Sequence, residues 1–121
     1  MESILTSVKK HVGIDEAVDH FDLEIIDHVN SVFSDLNQLG VGPAEGFEIT
    51  DNSKVWTDFV PNETLLRLNN IKSYIYLRVR LLFDPPTNSS QLESMNRQIE
   101  KLEWRINVGV ETTSKEEIQN G

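Results

Sequence analysis

Residues 65–86 read LLRLNNIKSYIYLRVRLLFDPP, the longest apolar-rich run in the chain. The run is too short and too charged to span a bilayer. Its length and residue types predict a helix, and Asp84-Pro85-Pro86 stops it, because proline excludes the helical conformation before it and offers no N–H. At about 100° per residue, Leu68, Ile71, Ile75, Val79 and Leu82 form one apolar stripe. Leu66, Tyr74, Leu77 and Leu81 form a second. Two polar strips lie between them, one with Asn69, Ser73 and Arg80, the other with Arg67 and Arg78. A helix apolar on two sides is covered on both. Residues 65–83 are therefore read as the central helix of the fold.

The other helices follow from period and punctuation. Residues 2–12 place Ile4, Leu5, Val8 and Val12 on one face, and Gly13 ends the element. Lys9, Lys10 and His11 sit in its last turn, where positive charge suits the helix dipole. Residues 20–39 line Phe21, Ile25, Val29, Val32, Leu36 and Leu39 along one face, with Asp19 as predicted N-cap and Gly40 as stop. The opposite face carries His20, Asp27, Ser31, Ser34 and Asp35. A last helix begins after Thr87-Asn88-Ser89, with Ser90 and Glu93 at capping-box spacing. Leu92, Met95, Ile99, Leu102 and Ile106 make a narrow seam along it, and Trp104 falls opposite. Residues 40–62 carry turn residues together with Phe47, Ile49, Val55, Trp56 and Phe59. They are read as a long ordered loop, with an extended piece at Phe47–Thr50 and Trp56 or Phe59 as anchor. Beyond Asn107 the chain is polar and aperiodic. The organisation expected is a helical domain over 1–108 and a tail over 109–121. The fold class is all-α, a small bundle of about four helices.

The chain has 121 residues, a formal net charge of −9 and no cysteine. One small domain fits that length. Disulfides and thiolate metal sites are excluded. The acidity argues against nucleic-acid binding in the chain's own right, since phosphate neutralisation needs the opposite sign. No membrane role is expected: the chain opens without a basic-plus-apolar signal pattern.

Chemistry has little to stand on. His20, Glu24 and His28 recur at four-residue spacing, but a straight helix separates the first and third by about 12 Å, too far for one ion. Glu24 with His28 could supply two ligands of a small metal-dependent enzyme, yet no further cluster accompanies them. Gly40-Val41-Gly42-Pro43 lacks the lysine of a phosphate loop, and no nucleophile motif is present. No catalytic residue, cofactor or metal is expected. The informative residues are contact candidates. Three of the five arginines, Arg67, Arg78 and Arg80, lie on the central helix. They bridge to acids within the chain or pair across a subunit boundary. Trp56 and Trp104 are the aromatic candidates for a partner surface.

In its ordered segments the chain resembles the head–tail connector (adaptor, or head-completion) proteins of long-tailed bacteriophages. The segments are ESILTSVKKHVGID at 2–15, FDLEIIDHVNSVFSDLNQLGVGPAEGFEITD at 21–51, VWTDF at 55–59, IKSYIYLRVRLLFDPP at 71–86 and LESMNRQIEKLEWRINV at 92–108. The resemblance implies a virion protein of the neck, made in the host bacterial cytoplasm. It implies a homo-oligomeric ring, typically dodecameric, under the portal protein. The ring would extend the channel for double-stranded DNA, which passes without specific binding, and would receive a stopper or other neck component. It also implies a C-terminal segment reaching the portal, here carrying Val110, Thr112, Lys115 and Ile118. The rival reading is a non-viral helical interaction module.

Overall fold

The computed structural model describes the backbone of residues 2–120 and the side chains of residues 2–108. Five helices follow one another among these residues: α1 (Ile4–His11), α2 (Asp22–Gln38), α3 (Trp56–Phe59), α4 (Leu65–Phe83) and α5 (Ser89–Asn120). α4 packs against α1, α2 and α5, which makes it the centre of the bundle, as its two stripes predict. α3 is a single turn inside the long loop.

Each start and stop has a local cause. Ser3 Oγ accepts from Thr6 N at the head of α1, and Thr64 Oγ1 accepts from Arg67 N at the head of α4. α1 and α2 end in the same way. Ile14 N donates to Lys9 O and Gly13 N to Lys10 O, while Val41 N donates to Leu36 O and Gly40 N to Asn37 O. These are paired returns onto the last turn, made possible by a left-handed residue, and both Gly13 and Gly40 have φ of 84°. Two predicted caps are corrected. α2 starts at Asp22 with no side-chain cap, and Asp19 contributes only its backbone carbonyl, to Asp22 N. α5 is capped by Asn88, whose Oδ1 accepts from Ser90 N and Gln91 N, rather than by Ser90.

The core is filled from every element. Ile4 and Val8 of α1, Ile25, Val29, Val32, Phe33 and Leu36 of α2, and Ile71, Tyr74, Ile75 and Val79 of α4 are all buried. The α5 seam of Met95, Ile99, Leu102 and Ile106 is buried as its spacing predicts. The backbone of α5 remains helical past Asn107, where the apolar period ends. Both ends of the α4 stripes depart from expectation, with Leu66 and Leu82 exposed. They sit in the first and last turns of α4, where a neighbouring helix no longer covers them.

The long loop is anchored by both predicted aromatics. Trp56 and Phe59 are buried, and Phe59 packs on Phe33 and Phe47 with ring centroids 4.5 and 5.1 Å away. Residues 47–50 form no strand. Asn30 on α2 takes the place of a neighbouring strand: its Nδ2 donates to Ile49 O at 2.9 Å and its Oδ1 accepts from Ile49 N at 2.8 Å. With both polar groups of Ile49 satisfied by one amide, its side chain can be buried without a sheet.

Candidate functional site

Two of the three α4 arginines are used inside the fold. Arg67 pairs with Glu63 (Nε to Oε2, 2.8 Å) and donates Nη1 to Ile106 O at 3.0 Å, tying the start of α4 to α5. Arg78 donates Nη2 to Asp35 Oδ2 and Nη1 to Tyr74 Oη, both at 2.6 Å. Tyr74 in turn donates to Glu103 Oε1 at 2.8 Å. The result is a polar relay, Asp35–Arg78–Tyr74–Glu103, that crosses from α2 through α4 to α5. Asp35, placed by its period on the solvent face, is thus drawn into a helix–helix contact. Burial pushes the Tyr74 hydroxyl up to about 12, and its bond to Glu103 adds to this. Burial opposes the Arg78 charge, but the contacts with Asp35 and Tyr74 outweigh it and raise that pKa.

Trp56 is also taken up within the chain: it is buried, with Lys72 Nζ 5.5 Å from its ring centroid and Tyr76 edge-on at 6.1 Å. Arg80 and Trp104 are different. Arg80 is exposed, with no ion pair among the described residues, and Trp104 is 67% exposed. Among the described residues, Leu23, Leu65, Leu66 and Leu82 are the other large apolar side chains left open. The side chains of Val110, Thr112, Lys115 and Ile118 lie outside the described residues.

The His20, Glu24, His28 set is not brought together. His20 precedes α2 and its ring packs tilted against Phe21, centroids 4.1 Å apart, while Glu24 and His28 approach to 3.7 Å. Among the described residues no group of three potential ligands converges, and no helix is long and apolar enough to cross a membrane.

Two features escaped the sequence reading. Lys9, read only as a charge that suits the end of the α1 dipole, is 3% exposed. Its Nζ donates to Glu16 O at 3.1 Å and lies 2.9 Å from Asp22 Oδ1 in an ion pair off the hydrogen-bond line. The second is a groove of about 510 Å3 between α4 and α5, with Tyr76, Leu77 and Leu102 on its floor and His11, Lys101 and Arg105 on its rim. The His11 and Tyr76 rings stack face to face at 3.6 Å, and the Tyr76 hydroxyl bonds to Ser7. A basic row at i, i+4, i+8 (Arg97, Lys101, Arg105) was the available signal.

The geometry is that of a surface for contact, with a filled core, an exposed indole and a groove between helices. Comparison with known proteins agrees. No curated protein and no solved structure matches the chain, but the family described as Phage connector protein matches residues 4–113. The match takes in the first four helices, the loop and most of α5, so the chain belongs to the phage connector protein family, a structural family of the bacteriophage head–tail junction.

Proposed function

We propose that the protein forms a ring, dodecameric like the portal it sits under, and that this ring extends the DNA channel toward the tail. The observation that carries the proposal is the family match over residues 4–113. The surface supports it. With Arg67 and Arg78 committed within the chain, Arg80 and Trp104 are the remaining candidates for lateral contact. Closed rings need heterologous contacts, in which two different patches of one chain meet in successive copies. A net charge of −9 lets DNA pass without adhering.

The C-terminal residues 109–121, with Val110, Thr112, Lys115 and Ile118, are the proposed portal-binding tail. The opposite end of the ring receives a stopper or other neck protein. Co-sedimentation with portal-bearing capsids tests the assignment. The full chain binds, and a chain lacking 109–121 keeps its helical circular dichroism but stays in the supernatant. Binding by the truncated chain would remove the tail from the account, and no binding by the full chain would remove the portal.

A further inference from the structure

We propose that the α4–α5 groove receives the acidic start of α2 from a second copy of this chain. The proposal rests on the ring reading and names the two surfaces that would meet. The groove has an apolar floor of Tyr76, Leu77 and Leu102 and a cationic rim of Lys101 and Arg105. Arg97 extends the rim by one more turn along α5. Arg97, Lys101 and Arg105 have no acidic partner among the described residues. Three cations in a row with no acidic partner among the described residues are conspicuous in a chain with 20 acidic and 11 basic residues.

The complementary surface is on the same chain. Residues 15–27, DEAVDHFDLEIID, contain six acids and no lysine or arginine. Asp22 is occupied by Lys9, while Asp15, Glu16, Asp19, Glu24 and Asp27 are exposed. Among them stands Leu23, 78% exposed, the most open of the large apolar side chains among the described residues. An apolar anchor ringed by acids matches an apolar floor bordered by cations in both respects. The two surfaces share no residue, so their union is head-to-tail, the type of contact that propagates from copy to copy and closes when the rotation allows.

The absence of cysteine makes a direct test available. His20→Cys and Gln98→Cys are placed together in one full-length chain. Both positions are exposed, and neither substitution removes Leu23, an acid of α2 or a rim cation. Oxidation is expected to give a ladder of disulfide-linked multimers on a non-reducing gel. Adding Lys101→Glu and Arg105→Glu reduces the ladder by at least about tenfold, and further adding Glu24→Lys and Asp27→Lys restores it. Circular dichroism of each variant reports that the fold is kept. A ladder unaffected by rim reversal, or no ladder from a chain whose wild type has a multimeric native mass, overturns this interface and leaves the ring standing. A wild type that is monomeric both alone and on portal-bearing capsids overturns the ring and the interface together. Retention of the wild type on double-stranded DNA at low salt, lost on rim reversal, would reassign the row to DNA and also overturn the proposal.

Discussion

Arg78 of α4 is bound to Asp35 of α2 through a 2.6 Å contact between Nη2 and Oδ2. The same guanidinium holds Tyr74 Oη through Nη1, so one side chain fixes the distance between two helices and the orientation of a buried ring. Replacing Arg78 with alanine removes both bonds and should cost about 2 kcal/mol. Lysine should recover little of this, because a point charge cannot serve two acceptors in a fixed plane. In a double-mutant cycle with Asp35→Ala, urea unfolding should give a coupling of about 1 kcal/mol. The native mass of the protein should not change, since both charged groups are engaged within the chain.

Tyr74 makes the bundle sensitive to alkali. Its pKa in the fold, about 12, lies above the ordinary tyrosine value of 10.0, because the hydroxyl is buried and bonded to Glu103. The stability that depends on the protonated phenol is therefore complete below pH 10 and lost as the pH rises toward 12. A tyrosinate there would be buried beside Glu103. Thermal unfolding as a function of pH should show a drop in this window for the wild type and a smaller one for Tyr74→Phe. An equal drop in both would assign the sensitivity elsewhere.

Lys9 and Asp22 couple α1 to α2 across a buried contact. Asp22→Asn leaves the ammonium buried without its counter-charge and should destabilise by about 3 kcal/mol. Lys9→Met removes the charge while keeping the length of the side chain, and should lie within about 1 kcal/mol of the wild type. Denaturant midpoints compare the two. The order of the effects, more than their size, is what the burial of Lys9 predicts.

Gly42 holds the loop against the core. Its φ is 85°, and a Cβ built there would lie 2.4 Å from Phe59 Cε1. Gly42→Ala should cost 2 kcal/mol or more, roughly the backbone strain plus displacement of the ring. Gly46 has φ of 98° with nothing within 4 Å of the same position, so Gly46→Ala should show the strain alone, about 1 kcal/mol. Equal losses at the two sites would mean that Phe59 yields freely.

Much of this architecture is written in periodicity. The middle of the α4 stripes, the α2 face and the α5 seam bury most of the residues their spacing selects, while the outer stripe positions Leu66 and Leu82 stay exposed, because a helix that covers a core repeats its apolar positions with the turn only where a neighbour covers it. The glycine stops at 13 and 40 are equally legible, since a left-handed C-terminal residue has a chemical requirement. What could not be read was pairing at a distance. Nothing local joins Arg78 to Asp35, Lys9 to Asp22 or Asn30 to Ile49, and each depends on how two elements dock. The Asn30 amide also explains why 47–50 resembles a strand in composition without becoming one. The contact candidates divided for the same reason. Arg67, Arg78 and Trp56 found partners that docking supplies, whereas Arg80 and Trp104 stand on outward faces of their helices. The groove rim was visible as a row on α5, but its apolar floor required α4 alongside.

The proposed assembly is a closed ring at the portal. Electron microscopy of portal-bearing capsids incubated with the full-length protein tests it most directly. A dodecameric collar coaxial with the portal, with an open central channel, is the expected result. Isolated subunits scattered over the capsid, or portals left bare at saturating protein, would contradict it.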